Sequence, residues 1–224
     1  CHSRRAQLFD DPQDAGLLVE NYLLATLDQG LYHPDGQIQD EVFVHGSFLQ
    51  SKMYQAGVTC SDCHNPHSLE LRVPGDGVCV QCHHADQYQT PKHHFHSSVQ
   101  GSACVDCHMP TTTYMEVDPR RDHSLRIPRP DLSVSLGVPN ACNQCHSDET
   151  PEWAAEHVEQ WYGHVPQGAQ QYAHTLAAGR AGSVGARQDL LKLLADEGQP
   201  AVARATAASL LQAWPGPEVA QSLF

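Results

Sequence analysis

The chain has 224 residues, with 9 cysteines and 16 histidines against only 5 Phe and 3 Trp, a length for one or two domains but too little aromatic bulk for an ordinary apolar core. A formal net charge of −13 argues against nucleic acid and anionic lipid as partners. No apolar run is long enough to span a bilayer, since the longest cluster, residues 17–27, is interrupted by Glu20, Asn21 and Thr26.

In chain order, Leu17, Leu18, Tyr22, Leu23 and Leu27 recur at helical spacing before Gly30 and predict one amphipathic helix. A Pro-Asp-Gly turn follows at 34–36, then a short helix around 47–56 that stops at Gly57. From Cys60 to His146 the chain is rich in Pro, Gly, Asp and Thr, with no sustained helical or strand period. At Thr150 the texture changes: Thr150 is an N-cap, Pro151 takes the first helical position, and the helix closes at Gly163. Further helices are predicted at 169–178, 186–196 and 200–214, with a new start at Glu218. Leu190, Leu191, Leu194, Val202, Ala205, Ala208, Leu210 and Leu211 would form facing apolar stripes, as in one unit of an α-solenoid. The expected fold class is thus mostly α and irregular coil. A core with little regular structure, residues 1–149, would precede an α-helical, repeat-like segment, residues 150–224.

Four pentapeptides interrupt the coil region: Cys60 to His64, Cys79 to His83, Cys104 to His108 and Cys142 to His146, each of the form C-x-x-C-H. Two thiols separated by two residues reach the two vinyl positions of one haem, and the adjacent histidine then lies over the iron. Zinc sites recruit two cysteine pairs or a distant histidine pair, without a histidine after every second Cys. A thioredoxin-like dithiol would need a single pair in a βαβ setting. The pattern therefore implies haem c, attached at Cys60, Cys63, Cys79, Cys82, Cys104, Cys107, Cys142 and Cys145, with His64, His83, His108 and His146 as proximal ligands. The ninth cysteine, Cys1, precedes His2. The simplest account is a fifth motif whose first Cys lay upstream, with Cys1 as attachment point and His2 as ligand; an acylated lipoprotein cysteine is the alternative.

Eleven other histidines exceed what the second axial positions need. The candidates for the distal side are His33, His67, His96, His123 and one of His93 or His94, with His45 in reserve; the His-His-Phe-His stretch at 93–96 can serve two irons. His84, His157, His164 and His174 are read as ordinary surface or core residues, and Met109 cannot swing to the far face of a haem held by the adjacent His108. Arg120, Arg121, Arg126 and Arg129 lie within ten residues of an acidic chain, and suit bidentate pairing with haem propionates, Arg120, Arg121 and Arg126 above all.

Residues 1–5, 31–37, 46–53, 57–67, 104–110 and 122–131 together resemble a family of bacterial exported multihaem c-type cytochromes with paired CxxCH motifs. The resemblance implies further haem motifs upstream of Cys1 and HEAT- or TPR-like helical repeats downstream of Trp153.

The expected function is electron transfer along closely spaced haems, since the short intervals from Cys60 to Cys79 and from Cys79 to Cys104 cannot insulate them. Covalent haem attachment occurs outside the cytoplasm, so a periplasmic, extracellular or cell-surface location is expected although no signal segment stands at residue 1. Redox proteins or extracellular acceptors would be the partners, self-assembly into filaments would join the haem chains, and no transmembrane segment is expected. The competing expectation is an enzyme in which one haem keeps an open position and acts on a small nitrogen or sulfur compound.

Overall fold

The structure is a computed structural model that describes residues 3–9, 17–167 and 170–222. Short helices and irregular connections make up nearly all of it, as the sequence predicts. Two antiparallel ribbons are the exception, Arg5–Gln7 with Tyr22–Leu24 and Thr111–Tyr114 with Asp118–Arg121.

Contacts divide the chain into two compact units, Cys1–Gln50 with Gln170–Phe224, and Ser51–Ala169. This division differs from the boundary expected at 149/150. The helix Pro151–Tyr162 buries Ala154 and Val158 where it meets the helix Pro130–Leu136 and its buried Leu132, so it belongs with the motif region. Residues 27–42 instead bury Leu27, Tyr32, Ile38 and Val42 in the same unit as the C-terminal helices.

The first unit has a conventional core. The helices Ala173–Arg180, Ala186–Ala195 and Ala201–Leu210 pack together over Leu176, Leu190, Leu193, Val202, Ala203 and Ala207. Of the expected stripe of the last helix, Val202 is inside but Ala205 is exposed; Ala203, Thr206 and Ala207 are buried in its place. Alanine leaves the angular position of such a stripe poorly marked, because every face offers a methyl. The polypeptide before residue 50 is stitched to these helices by backbone carbonyls. Arg180 donates to the carbonyls of Tyr32 (3.0 Å) and Leu27 (2.6 Å), and the Leu27 N–H donates to the Thr206 hydroxyl (2.9 Å).

The helix expected through residues 17–27 lasts one turn, Leu18–Asn21, before the chain turns extended at Tyr22–Leu24. Leu17 and Leu23 are exposed, Tyr22 is half-buried and Leu27 is fully buried, so that the apolar spacing did not mark a continuous buried face. Strand pairing satisfies the backbone instead, and the Arg5 guanidinium lies 4.7 Å from the Tyr22 ring centre. The helix expected at 47–56 is split into His45–Phe48 and Lys52–Gln55, because Ser51 turns extended and its hydroxyl accepts the Tyr54 N–H.

The predicted turn at 34–36 is present, with Gly36 at φ +85° and its N–H donating to the His33 carbonyl. A methyl on Gly36 would meet the Gln50 side-chain amide and the Tyr172 hydroxyl, which itself donates to the Asp35 carbonyl. Gly36→Ala is therefore expected to destabilise the first unit by about 2 kcal/mol, combining the left-handed backbone with the clash, and thermal unfolding followed by circular dichroism checks it.

Candidate functional site

The four CxxCH motifs lie in the second unit, each wound into one helical turn. Cys60–Cys63, Cys104–His108 and Cys142–Cys145 are helical, and Gly77–Val80 carries Cys79 into the second motif. The N–H groups of His64, His83 and His146 donate to the carbonyls of Cys60, Cys79 and Cys142 at 2.9, 3.0 and 2.9 Å. That bond brings the histidine back over the turn that holds both sulfurs.

The motifs are also neighbours of one another. The thiols of Cys79 and Cys104 are within hydrogen-bond reach, and Cys107 feels the charge of Cys142 and Cys145. Burial, then the nearby Asp76 carboxylate, pushes the Cys104 thiol up to about 12, and burial pushes Cys107 up to about 11. Sulfurs in such surroundings are poor thiolates, and so poorly suited to a zinc cage.

The histidine rings are arranged in pairs. His64 and His123 lie 6.4 Å apart between ring centres, His93 and His108 6.0 Å apart and nearly parallel at 12°, and His96 and His146 6.2 Å apart. Metal–imidazole bonds of about 2 Å, with about 1 Å from nitrogen to ring centre, put two axial imidazoles on one metal about 6 Å apart. Among the described residues no group of three or more His, Cys, Asp or Glu converges on one point. Two axial nitrogens are the protein's share where a macrocycle supplies the rest.

Hydrogen bonds fix which nitrogen faces the partner ring. Nδ1 of His64 bonds the Leu69 carbonyl (2.9 Å), Nδ1 of His108 that of Arg126 (2.7 Å), Nδ1 of His123 that of Arg121 (2.9 Å) and Nδ1 of His96 that of His94 (2.5 Å). A carbonyl can only accept, so Nδ1 carries the proton and Nε2 keeps its lone pair for a metal. Burial, then proximity to His108, holds the His93 pKa below the usual histidine value, which favours the same neutral form.

The remaining expected ligands are placed differently. The His94 Nδ1 accepts the His96 N–H rather than facing a motif histidine. His67 is exposed in a turn whose N–H is taken by the Asn65 side chain, and that turn carries the Leu69 carbonyl that orients His64. His83 meets Tyr88 edge-on at 5.6 Å. His33 belongs to the first unit. The predicted motif at Cys1 and His2 lies outside the described residues.

The arginines all have protein partners. Arg120 pairs with Asp118 at 2.6 Å, and Arg121 donates to the carbonyls of Val105 and Met109, tying the hairpin to the third motif. Arg126 forms a buried pair with Asp122 at 3.1 Å. Its N–H also donates to the His108 carbonyl while its own carbonyl receives His108 Nδ1, so one residue grips this histidine at both ends. Sequence reasoning missed the ring cluster beside the motifs: Trp153 lies 4.9 Å from His146, and Trp161 stacks on Phe95 at 4.6 Å. Trp153, His157 and Trp161 recur at four-residue spacing on a helix that was predicted, and that spacing was the available signal.

The residues fit a large flat group. From 52 to 109 no residue is buried, so this ordered stretch has no polypeptide core of its own, while its thiols and imidazoles converge in sets of the right chemistry. A fold of single-turn helices built around CxxCH sites defines a c-type cytochrome with more than one haem. The family model for cytochrome c552 matches residues 80–206, more than half of the chain, and the chain belongs to that family. Among solved structures it resembles the outer cell wall cytochrome OcwA, with a TM-score of 0.52 and 17% identity over 100% of this chain, a likeness of fold. The chain spans 63% of the length of OcwA. No curated protein matches. Among the described residues no helix is long and apolar enough to cross a membrane.

Two outcomes test this geometry. Arg126→Met would leave Asp122 buried and unpaired, costing about 3 kcal/mol in guanidinium unfolding of the holoprotein. The Asp62 carboxylate accepts the Thr59 N–H (2.7 Å) and hydroxyl (2.8 Å), which hold its pKa below the ordinary 3.8. The cap at the first motif should therefore be intact above that ordinary value and be lost as pH falls through the lower folded one, with the Thr59 amide resonance titrating at a midpoint below 3.8.

Proposed function

We propose that this protein conducts electrons through four haems c held at Cys60/Cys63, Cys79/Cys82, Cys104/Cys107 and Cys142/Cys145, with a fifth at Cys1 and His2. The observation that carries the reading is the set of three imidazole pairs 6.0 to 6.4 Å apart, each joining a motif histidine to one outside the motif. His123 would then face His64, His93 would face His108, and His96 would face His146 as axial pairs. His33 and His67 are the candidates for the remaining distal positions. When bound, the haems supply a reversible one-electron couple at each iron.

The chain's own residues do the rest. Carbonyl acceptors on Nδ1 of His64, His96, His108 and His123 would orient those imidazoles without the added negative charge a carboxylate would bring. Two nitrogen ligands favour the ferric state and close the iron to substrates, which is the chemistry of a carrier. The Cys79 and Cys104 thiols within hydrogen-bond reach, and Cys142 and Cys145 close enough to raise the pKa of Cys107, support a continuous conduit. Arg121, partly exposed beside the third motif, remains the best placed of the three arginines for a propionate, since Arg126 is committed to Asp122.

A periplasmic or cell-surface location fits covalent haem attachment and the likeness to a cell wall cytochrome. With a charge of −13, basic redox proteins are the partners that its field would attract, with metal oxides or further copies of the chain as the other candidates. The paired helices Ala186–Ala195 and Ala201–Leu210 are read as one HEAT-like unit that serves docking.

Intact-mass analysis of the exported protein should show one haem increment per motif, and the ferric paramagnetic resonance spectrum should be wholly low-spin. His123→Ala should convert one haem to high-spin and leave the number attached unchanged. A high-spin component in the unaltered protein would favour the enzyme reading, with an open haem acting on a small nitrogen or sulfur compound.

A further inference from the structure

The turn formed by His93, His94, Phe95 and His96 points two imidazoles at two different motifs, 6.0 Å from His108 and 6.2 Å from His146. Between them sits Phe95, which ends the turn Pro91–His94 in the left-handed region at φ 56° and ψ 22°. A bulky aromatic residue is rarely found there, and the conformation persists only where the surroundings dictate it.

Those surroundings are specific. The Trp161 indole lies parallel to the Phe95 ring, 4.6 Å away with 4° between the planes. Tyr162 meets the same ring edge-on at 5.6 Å, and its hydroxyl donates to the His93 carbonyl at 2.8 Å. Both residues end the helix Pro151–Tyr162, whose start places Trp153 4.9 Å from the His146 ring. His157 lies between, 4.2 Å from Trp153 and 5.8 Å from Trp161. One helix therefore braces the ligand turn at one end and a motif imidazole at the other.

We propose that Phe95 and Trp161 are positioning residues, a clamp that sets the axial ligands of the third and fourth haems together and so ties the potentials of those two sites to one structural element. The inference rests on the bis-histidine reading. Without the stack, Phe95 keeps only the edge contact of Tyr162 and its own N–H bond to the Pro91 carbonyl, and its relaxation would swing His93 and His96 in the same movement. Ring orientation and hydrogen bonding at the axial imidazoles are what tune such a site. Ordinary packing would instead predict lower thermal stability with unchanged spectra.

The test uses the haem-loaded full chain, read by low-spin resonance signals and by spectroelectrochemical titration. His93→Ala and His96→Ala first assign the two sites, each expected to give one high-spin haem; unchanged spectra in both would remove the bis-histidine reading itself. With the sites assigned, Trp161→Ala should shift the g-values and midpoint potentials of those two haems together and leave the others in place, and Trp161→Phe should restore them. Phe95→Gly should produce the same paired shift although glycine accepts the backbone conformation freely, and it decides the matter if Trp161→Ala does not fold. Wild-type potentials in these variants, a shift of one haem alone, or a uniform shift of every haem would overturn the clamp.

Discussion

A histidine N–H reaching back four residues to a cysteine carbonyl is the bond on which the second unit depends. It closes each CxxCH motif into a single helical turn, which puts two sulfurs and an imidazole on one small platform. An isolated turn of this kind is unfavourable on its own, because it fixes several dihedrals for one hydrogen bond. With no buried residue between 52 and 109, the polypeptide supplies little hydrophobic burial to offset that cost. What it supplies instead is convergent chemistry: exposed and half-buried thiols in pairs, imidazoles whose Nδ1 is held by carbonyls, and opposing rings at the separation of an axial pair. Such a stretch acquires its interior from the group it wraps, which is the physical meaning of a c-type cytochrome.

The first unit obeys the opposite economy. Leu27, Leu176, Leu190 and Leu211 are fully buried, and Arg180 and Thr206 satisfy backbone groups that the early chain would otherwise bury unpaired. This unit draws on both ends of the described chain, with the motif-bearing unit inserted in sequence between residues 50 and 170. The Asp122–Arg126 pair plays a comparable part in the second unit: its own burial is costly, yet it fixes the loop whose carbonyls orient both His108 and His123.

Much of the local structure was legible. Thr150, Pro151 and Gly163 bounded their helix because a cap, a fixed φ and a left-handed stop act within one turn of chain. The helix Pro130–Leu136, with proline at its first turn and Gly137 at its end, carried the same signals and went unread inside a region judged to be coil. The ribbon around Tyr114 was hidden because Met115 and Glu116 form its tip at positive φ without a glycine or asparagine to announce it. Leu17 and Leu23 misled in the other direction, since periodic apolar spacing predicts a helix only when a partner buries the stripe.

The sequence alone determined the chemistry of the motifs, because thiol spacing and the adjacent histidine act over five residues of contiguous chain. It also narrowed the histidines from outside the motifs to a short set. Only the tertiary structure decided which of them face which motif: His123 is drawn to His64 across 59 positions, and His93 rather than His94 turns toward His108. It alone decided that the helix after Thr150 belongs with the motifs while residues before 50 belong with the C-terminal helices. Ring pairing and core membership depend on where distant segments are buried together, and no local preference of the backbone encodes that.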